Sequence, residues 1–376
     1  MSKERNGIKV ACTLVGTLAI RGRLLKQLAA LKTAGISTKL YYGDIGEVPL
    51  KREDFDFPIE VISTPLKKSK AVLFLRQMRY GLQAGRRIAE SDATHVICFA
   101  LESLLAGVVA KRRRPELKLI FDSSELHVEA YINPVKKRVW AMIQKYCVPF
   151  CDIIMHAEEN RMSYFKEHHD PAPDKRVHFL LENLPYFIPG EKLREKPAKP
   201  PLRVLYVGVM GPDRFTPQLV DIFRELGPDY TLDLVGPVMP QSFAGDLEKK
   251  MSEVDTPNVT VRPAIPHKEM SNLIQDFHVG IALYRNDNLC NYYCAPNKVY
   301  DYLMNGVAVI ANDYPGLRKV LEVGEVGACV ENVDLHCFKA ALELIASEQR
   351  SNNITDDVRK RYSWEAQNPG YIALFD

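Results

Sequence analysis

Residues 295–311 read APNKVYDYLMNGVAVIA, and this stretch decides the fold. Pro296 suits the first position of a helix, where no backbone N–H is needed. Gly306 suits the left-handed residue that closes a helix. The apolar run 307–311 then has the length and branching of a buried strand. A short helix therefore runs directly into a parallel strand, with its start beside the upstream apolar run 279–283. The free N–H groups and partial positive charge of such a start suit a phosphate. Asp301 lies one turn further in, on the face of Asn297 and Lys298, where a carboxylate can accept hydrogen bonds from a sugar diol. Phosphate at the tip and hydroxyls one turn below describe a nucleotide-sugar diphosphate. An ordinary helix of an α/β domain fits the same residues.

The surrounding chain repeats this alternation. Downstream, the apolar runs 202–207, 230–235, 259–262, 279–283, 307–311 and 328–330 read as strands. Upstream, 8–14, 38–42, 95–99, 118–122, 153–157 and 177–181 do the same, and 21–33 is helical with Leu24, Leu25, Leu28 and Leu31 on one stripe. Such alternation predicts an α/β protein of two doubly wound Rossmann-like domains facing a cleft, with ligands beyond the carboxyl ends of the strands. Residues 189–201 are rich in proline and charge and lack an apolar period, so they read as a linker. The expected division is 1–188, the linker, 202–358, and a helical segment 359–376 that crosses back to the first domain.

Composition narrows the function. With 46% hydrophobic and 26% charged residues, the 376-residue chain reads as soluble and globular. No apolar run approaches the roughly 18 residues of a membrane span. The opening MSKERNGIKVACTLVG enters a strand pattern without a cleavage site, so no signal peptide is expected. Among eight cysteines, Cys147/Cys151 and Cys290/Cys294 are spaced by four, without the C-x₂-C form or histidine neighbours of a metal site. Reduced thiols in a cytoplasmic protein follow, with neither metal nor cofactor expected. The net charge of +3 conceals an asymmetry: residues 1–200 hold 34 Lys and Arg against 23 Asp and Glu, whereas 201–376 hold 16 against 24. A one-sided basic field attracts polyanions or an anionic membrane surface; solvated helix faces would give the same counts. The stretch 67–87, with Val72, Leu73, Leu75 and Met78 among Lys and Arg, fits a membrane-surface helix and equally a core helix with a solvated face. No G-x-G-x-x-G follows a strand, Gly208 and Gly211 being the nearest approach, and Walker, HExxH and G-x-S-x-G motifs are absent from the sequence. Nicotinamide, ATPase and serine-hydrolase chemistry lose their support. Nucleic-acid binding lacks an RNP-like, zinc or helix-turn-helix signature.

Taken in order, several segments resemble the family 4 retaining glycosyltransferases of GT-B fold. PNKVYDYLMNGVAVIANDYPGLRKVLE resembles their donor-site segment, and LYVGVMGPDR the first strand and loop of their second domain. VTVRPAIPHKEMSNLIQDFHVGIALY resembles the base-binding stretch, ATHVICFALESLLAG and LIFDSSELH two first-domain cleft segments, and YSWEA the start of the terminal crossover helix. The resemblance implies transfer of a sugar from a nucleotide-diphosphate sugar, UDP before GDP, to a glycan or lipid-pyrophosphate-linked acceptor in surface polysaccharide or glycoconjugate synthesis. It also implies a cytoplasmic enzyme, peripheral at the inner face of the membrane. The donor diphosphate would lie on Ala295, Pro296, Asn297 and Lys298, gripped by Arg214 beyond the Gly208–Gly211 loop, with Asp301 on the ribose. Arg262, Pro263 and Ile265 would hold the base. On the acceptor side, Gly16 and Thr17 match a loop under the donor phosphate, Arg23 a cleft-facing cation, and Glu102 and Ser124 lie in the cleft segments.

Three departures accompany the resemblance. Tyr293, beside Cys294, stands where the family places a glutamate on the transferred sugar. Ser124 stands where it places a histidine, leaving Glu125 or His127 to compensate. Phe215, Thr216 and Pro217 occupy the region of a second cation, which Lys298 would supply. Retaining transfer in this family is thought to need neither an enzymatic nucleophile nor a metal; inversion would need a base, for which Glu125, Asp122 and Glu102 are the candidates. A sugar-nucleotide epimerase and a catalytically weak binding protein of the same fold are the alternatives.

Overall fold

The structure is a computed structural model. It describes residues 7–16, 18, 22–43, 55–63, 72–131, 133–190, 193–194, 200–253, 257–295, 297–322 and 324–376. Two of the expected site residues, Thr17 and Pro296, lie outside the described residues, as does the start of the basic stretch at 67–71. The chain divides into two compact units, Met1–Glu182 with Gln367–Asp376, and Asn183–Ala366. Within the stretch expected as a linker, Arg194 pairs with Asp276.

The first unit is built on seven strands: β1 (Lys9–Val15), β2 (Ser37–Gly43), β3 (Ile59–Val61), β4 (His95–Phe99), β5 (Lys118–Ser123), β6 (Ile153–His156) and β7 (Val177–Leu180). Their helices are α1 (Gly22–Thr33), α2 (Leu73–Ala89), α3 (Leu101–Arg113), α4 (Pro134–Cys147) and α5 (Glu159–His168). The spatial order is β3-β2-β1-β4-β5-β6-β7, and every pairing is parallel. Parallel strands covered on both faces need continuous apolar runs. Accordingly Val10, Ala11, Cys12, Val96, Ile97 and Cys98 are all buried. The leucine stripe of α1 also turns inward at Leu24, Leu28 and Leu31. Strand β3 is too short and too half-buried to show in the sequence as an apolar run.

The second unit contains β8 (Leu202–Val207), β9 (Tyr230–Val235), β10 (Val259–Arg262), β11 (Val279–Ala282), β12 (Ala308–Asn312) and β13 (Gly327–Val330). Its helices are α6 (Thr216–Leu226), α7 (Phe243–Glu253), α8 (His267–Ile274), α9 (Leu289–Tyr292), α10 (Asn297–Met304), α11 (Pro315–Glu322), α12 (Leu335–Ser347) and α13 (Asp356–Arg361). The parallel order is β10-β9-β8-β11-β12-β13. In both sheets the strand order reverses beside the first strand, between β1 and β4 and between β8 and β11. Open α/β sheets hold ligands beyond the carboxyl ends at such a reversal.

The last segment is two helices. The N–H of Trp364 donates to the Pro185 carbonyl at 2.7 Å, and α14 (Trp364–Ala373) begins in the second unit and ends in the first. The two points where the chain passes between units are tied together. Glu182 N–H donates to Gln367 Oε1 at 2.9 Å, and Gln367 Nε2 returns a hydrogen bond to the Glu182 carbonyl at 2.7 Å.

Candidate functional site

Three of the expected donor residues, Gly208, Arg214 and Lys298, lie near one another at the carboxyl ends of β8 and β11. Gly208 leaves β8 with φ of 137°, a conformation natural to glycine alone, and its N–H still continues the sheet to the Val235 carbonyl at 2.9 Å. Gly236 leaves β9 at φ 149° and packs so closely that an added Cβ would stand 2.0 Å from the Gly208 carbonyl oxygen. These two exits form the floor of the site. The chain then makes a tight turn over Pro212–Arg214, closed by Gly211 N–H donating to Thr216 Oγ1 at 2.9 Å. Phe215 takes the left-handed conformation at φ 57° and starts α6. Arg214 is thereby presented beside Tyr284, its guanidinium carbon 5.6 Å from the ring centre.

Helix α10 supplies the facing side. Gly280 on β11 has no Cβ, and the Tyr302 ring fills that space, so the helix sits close on the strand. Tyr302 Oη accepts from the Val207 N–H at 3.1 Å, which fixes α10 to the end of β8. Val299, Tyr300, Tyr302, Leu303 and Met304 face the core; Asn297 and Asp301 are exposed and Lys298 is half-buried. Gly306 closes the helix at φ 68°, as its sequence position predicts.

Lys298 reaches over the floor. Its ammonium lies 4.4 Å from the centre of the Tyr206 ring, 3.4 Å from Tyr206 Oη and 5.9 Å from the Tyr284 ring centre, and a Cβ on Gly208 would stand 2.6 Å from it. Desolvation, and then the charge of Arg214, push the Lys298 pKa down from the usual 10.5 to about 8. Burial raises the Tyr206 hydroxyl above its ordinary range, so it remains a neutral partner. Neither Arg214 nor Lys298 has a carboxylate partner among the described residues. Two cations thus share one floor without compensation, and an anion placed between them would relieve both.

The other expected donor residues have different surroundings. Arg262 forms an ion pair with Asp233 at 2.6 Å. Pro263 is exposed, and Ile265 packs partly against the core beneath α10. Tyr293 lies against Tyr292, with ring centres 5.0 Å apart, and Cys294 is buried. Ala295 accepts a 2.9 Å hydrogen bond from the Asn297 N–H, so that donor of the helix start is already used.

In the first unit, Gly16 follows β1 at φ 122°, its carbonyl accepting from Tyr42 Oη. Arg23 grips the buried carboxylate of Asp122, with Nε at 3.0 and 2.9 Å from its two oxygens and Nη2 at 2.9 Å. Gln27 Nε2 donates to the same carboxylate at 2.6 Å, and Arg23 Nη1 donates to the Leu181 carbonyl. The charge of Arg23 is thus spent inside the unit, and Asp122 has no room to act as a base. A second cluster surrounds a cavity of about 50 Å³ lined by Ala100, Glu102, Ser123, Ser124, Glu125 and His127. That volume suits a water or a single hydroxyl. Glu102 Oε1 lies 2.9 Å from His127 Nε2, which is also 2.9 Å from Tyr131 Oη. Ala100, at φ 66° and ψ 163°, holds a backbone conformation that is strained for any residue with a Cβ; it stands where β4 gives way to α3. Sequence reasoning missed both Tyr131 and Ala100. The i, i+4 spacing of His127 and Tyr131 was the available signal for the first; backbone strain leaves none.

Among the described residues, no group of three or more His, Cys, Asp and Glu is placed to hold a metal ion, and no helix is long and apolar enough to cross a membrane. The eight cysteines are free. A cavity of about 490 Å³ in the second unit, lined in part by Leu193, Leu202, His278 and Ile354, lies at the opposite edge of the sheet, where the strands begin.

No family model and no curated protein matches the chain. Its likeness is to solved structures. Sucrose-phosphate synthase from Thermosynechococcus elongatus is 17% identical, with a TM-score of 0.72 over 98% of each chain. HepE of Anabaena, solved in complex with UDP and glucose, is 12% identical, with a TM-score of 0.72 over 98% of each chain. A Listeria monocytogenes protein assigned as a UDP-N-acetylglucosamine 2-epimerase is 13% identical, with a TM-score of 0.61 over 97% of this chain and 95% of its own. With seven and six parallel strands in two Rossmann-like units, the protein has the GT-B fold of these structures.

Proposed function

We propose that the protein is a glycosyltransferase that takes a sugar from a UDP-sugar to a hydroxyl of a glycan or lipid-linked acceptor, with retention at the anomeric carbon. The observation that carries this reading is the pair of uncompensated cations, Arg214 and Lys298, over the Gly208 floor at the reversal of the second sheet. A diphosphate is the ligand whose charge and size match them. Asp301, exposed one turn along α10, is the group for the ribose hydroxyls. UDP is favoured over GDP because HepE, which shares the fold, was solved with UDP.

In the reaction, the bond from the anomeric carbon to the β-phosphate oxygen breaks, and negative charge grows on that oxygen. Arg214 and Lys298 stabilise this charge, the role a divalent ion plays in other transferases. The acceptor hydroxyl attacks on the same face and passes its proton to the departing phosphate oxygen, so no enzymatic nucleophile is required. Glu102 and His127 are suited to hold the acceptor hydroxyl in the first-unit cavity.

Calorimetric titration with UDP tests the donor site. Binding that weakens at least about tenfold in Arg214→Ala and in Asp301→Ala is expected, the loss of one charge-assisted hydrogen bond or more. Failure of UDP, GDP and a panel of their sugars to bind or stabilise the protein would remove the reading. The Listeria structure favours a second reading, epimerisation of a UDP-sugar. Conversion of UDP-N-acetylglucosamine to its 2-epimer without an acceptor, followed by NMR, would select it.

A further inference from the structure

Three histidines of the first unit surround one ring. His156 at the end of β6, His178 on β7 and His169 just after α5 lie 5.2, 6.4 and 5.5 Å from the centre of Phe165. His169 faces a carboxylate, Glu129, at 3.4 Å. The other two are joined in a buried chain. His156 Nε2 lies 3.0 Å from His178 Nδ1, with the rings stacked 13° apart, and His178 Nε2 lies 3.0 Å from Asp170 Oδ2. Asp170 also pairs with Arg176. The side chains of Asp170 and His156 are both closed to solvent.

This chain has room for one hydrogen per ring. A carboxylate accepts, so His178 Nε2 carries the hydrogen that Asp170 receives. His178 Nδ1 is then an acceptor, and His156 Nε2 donates to it. His156 Nδ1 is left with its lone pair, buried and without a hydrogen-bond partner among the described residues. A further proton on that nitrogen would be a buried N–H with no acceptor. A further proton on His178 Nδ1 would set two donors against each other, or move the hydrogen of His156 to Nδ1 and leave the same orphan there. Either outcome carries the full cost of an unsatisfied buried donor.

The surrounding charges also oppose protonation. Arg23 of α1 and Lys166 of α5 act on His156, and Lys166 and Arg176 act on His178, whose one opposing carboxylate is Asp170. On the β5 side, His156 is in register with uncharged Ser123, and the preceding Asp122 is already held by Arg23 and Gln27. Burial, and then His178 and the two cations, hold His156 far below the usual imidazole range; burial also lowers His178 against the pull of Asp170. Strand β7 is the edge of its sheet. The turn before it is fastened by Asp170 Oδ1 accepting from the Ala172 N–H at 2.9 Å and by Arg176 Nε donating to the Val148 carbonyl at 3.0 Å. The chain of His156, His178 and Asp170 therefore runs from β6 across β7 into that turn.

We propose that His156, His178 and Asp170 form an acid-sensitive latch, which holds β7 and the turn 169–176 on the first sheet at neutral pH and releases them in mild acid. The inference is independent of the transferase reading. In the unfolded chain both imidazoles take up protons below about pH 6.5, whereas the buried pair excludes them. The latch thus contributes in full above that pH and weakens as pH falls below it.

Hydrogen exchange of the whole protein, corrected for the intrinsic rate at each pH, tests this. Protection of the amides of 153–181 should fall at least about tenfold between about pH 7.5 and about pH 5.5, the effect of one proton over one pH unit below the imidazole range. Protection of β8 and β9 in the second unit should change less than about threefold. His156→Gln, whose amide can donate to His178 without titrating, should reduce the fall in 153–181 to less than about threefold. Histidine NMR of the unaltered protein should show His156 without a second proton at about pH 6. Equal protection at the two pH values, an equal fall in β8 and β9, an undiminished fall in His156→Gln, or a folded-state His156 that titrates in the ordinary imidazole range overturns the proposal. If His156→Gln does not fold, the histidine titration of the unaltered protein decides.

Discussion

Lys298 is where the proposed donor site and its pH dependence meet. Its ammonium is desolvated beside Arg214, and its pKa has fallen to about 8. In the unliganded protein, the cost of holding this charge is present in full below pH 8. It fades as pH rises from about 8 towards 10.5, where the residue is neutral both folded and unfolded, so this group makes the fold more stable across that window. A bound diphosphate favours the charged form. UDP affinity should therefore be flat below about pH 8 and fall above it, and Lys298→Met should bind more weakly and lose that fall. Calorimetry from pH 6.5 to 9.5, roughly spanning this window, checks both. Gly236 answers for the floor. An alanine there would drive its Cβ into the Gly208 carbonyl at 2.0 Å while holding φ at 149°, so Gly236→Ala should cost about 3 kcal/mol or more by urea unfolding. Lys298 and Gly208 are marked in the sequence by local signals, a basic residue at a helix start and a glycine leaving a strand, whereas Arg214 was singled out by the family resemblance alone. That Arg214 and Lys298 share a space without a carboxylate was not legible, since they stand 84 positions apart.

Among the elements, α1 shows how a correct helix can carry an unreadable role. The stripe of Leu24, Leu28 and Leu31 identifies the helix, but Arg23 at its start looks the same whether it faces a ligand or a carboxylate. Its partner Asp122 is 99 residues away at the end of β5. Arg23→Ala leaves that carboxylate buried with only Gln27 and should destabilise the protein by about 3–5 kcal/mol, whereas Arg214→Ala, with no carboxylate to strand, should change stability by less than about 0.5 kcal/mol. Urea midpoints of the two variants separate these outcomes. Helix α2 is legible as a helix but not in its facing. The mixture of apolar and basic residues at 72–87 could be read as a surface or a core helix, and only burial shows that Tyr80, Ala84 and Ile88 point inward while Leu75 and Leu82 point out. Strand β3 has three half-buried residues and no apolar run to detect.

At the scale of the molecule, the terminal helix binds the chain's end to its beginning. Tyr371 is completely buried, Phe375 lies 5.4 Å from the His95 ring, and Gln367 closes on Glu182. Removing residues 364–376 should lower stability by on the order of 5 kcal/mol, the burial of these two aromatic side chains alone, and reduce the urea midpoint accordingly. An unchanged midpoint would show the segment to be dispensable.

The sequence by itself determined the architecture: two doubly wound parallel sheets, the approximate bounds of most of their strands, and the short helix closed by Gly306 ahead of β12. These are local properties. A strand buried on both faces must be continuously apolar over five or six residues, and a turn must carry glycine, proline or charge. The tertiary structure alone decided which charges are spent and which are available. Arg23 and Arg262 are paired with Asp122 and Asp233, while Arg214 and Lys298, both beside Tyr284, have no carboxylate partner among the described residues. Electrostatic pairing depends on distance through space, and that distance exists only once the strands have found their order.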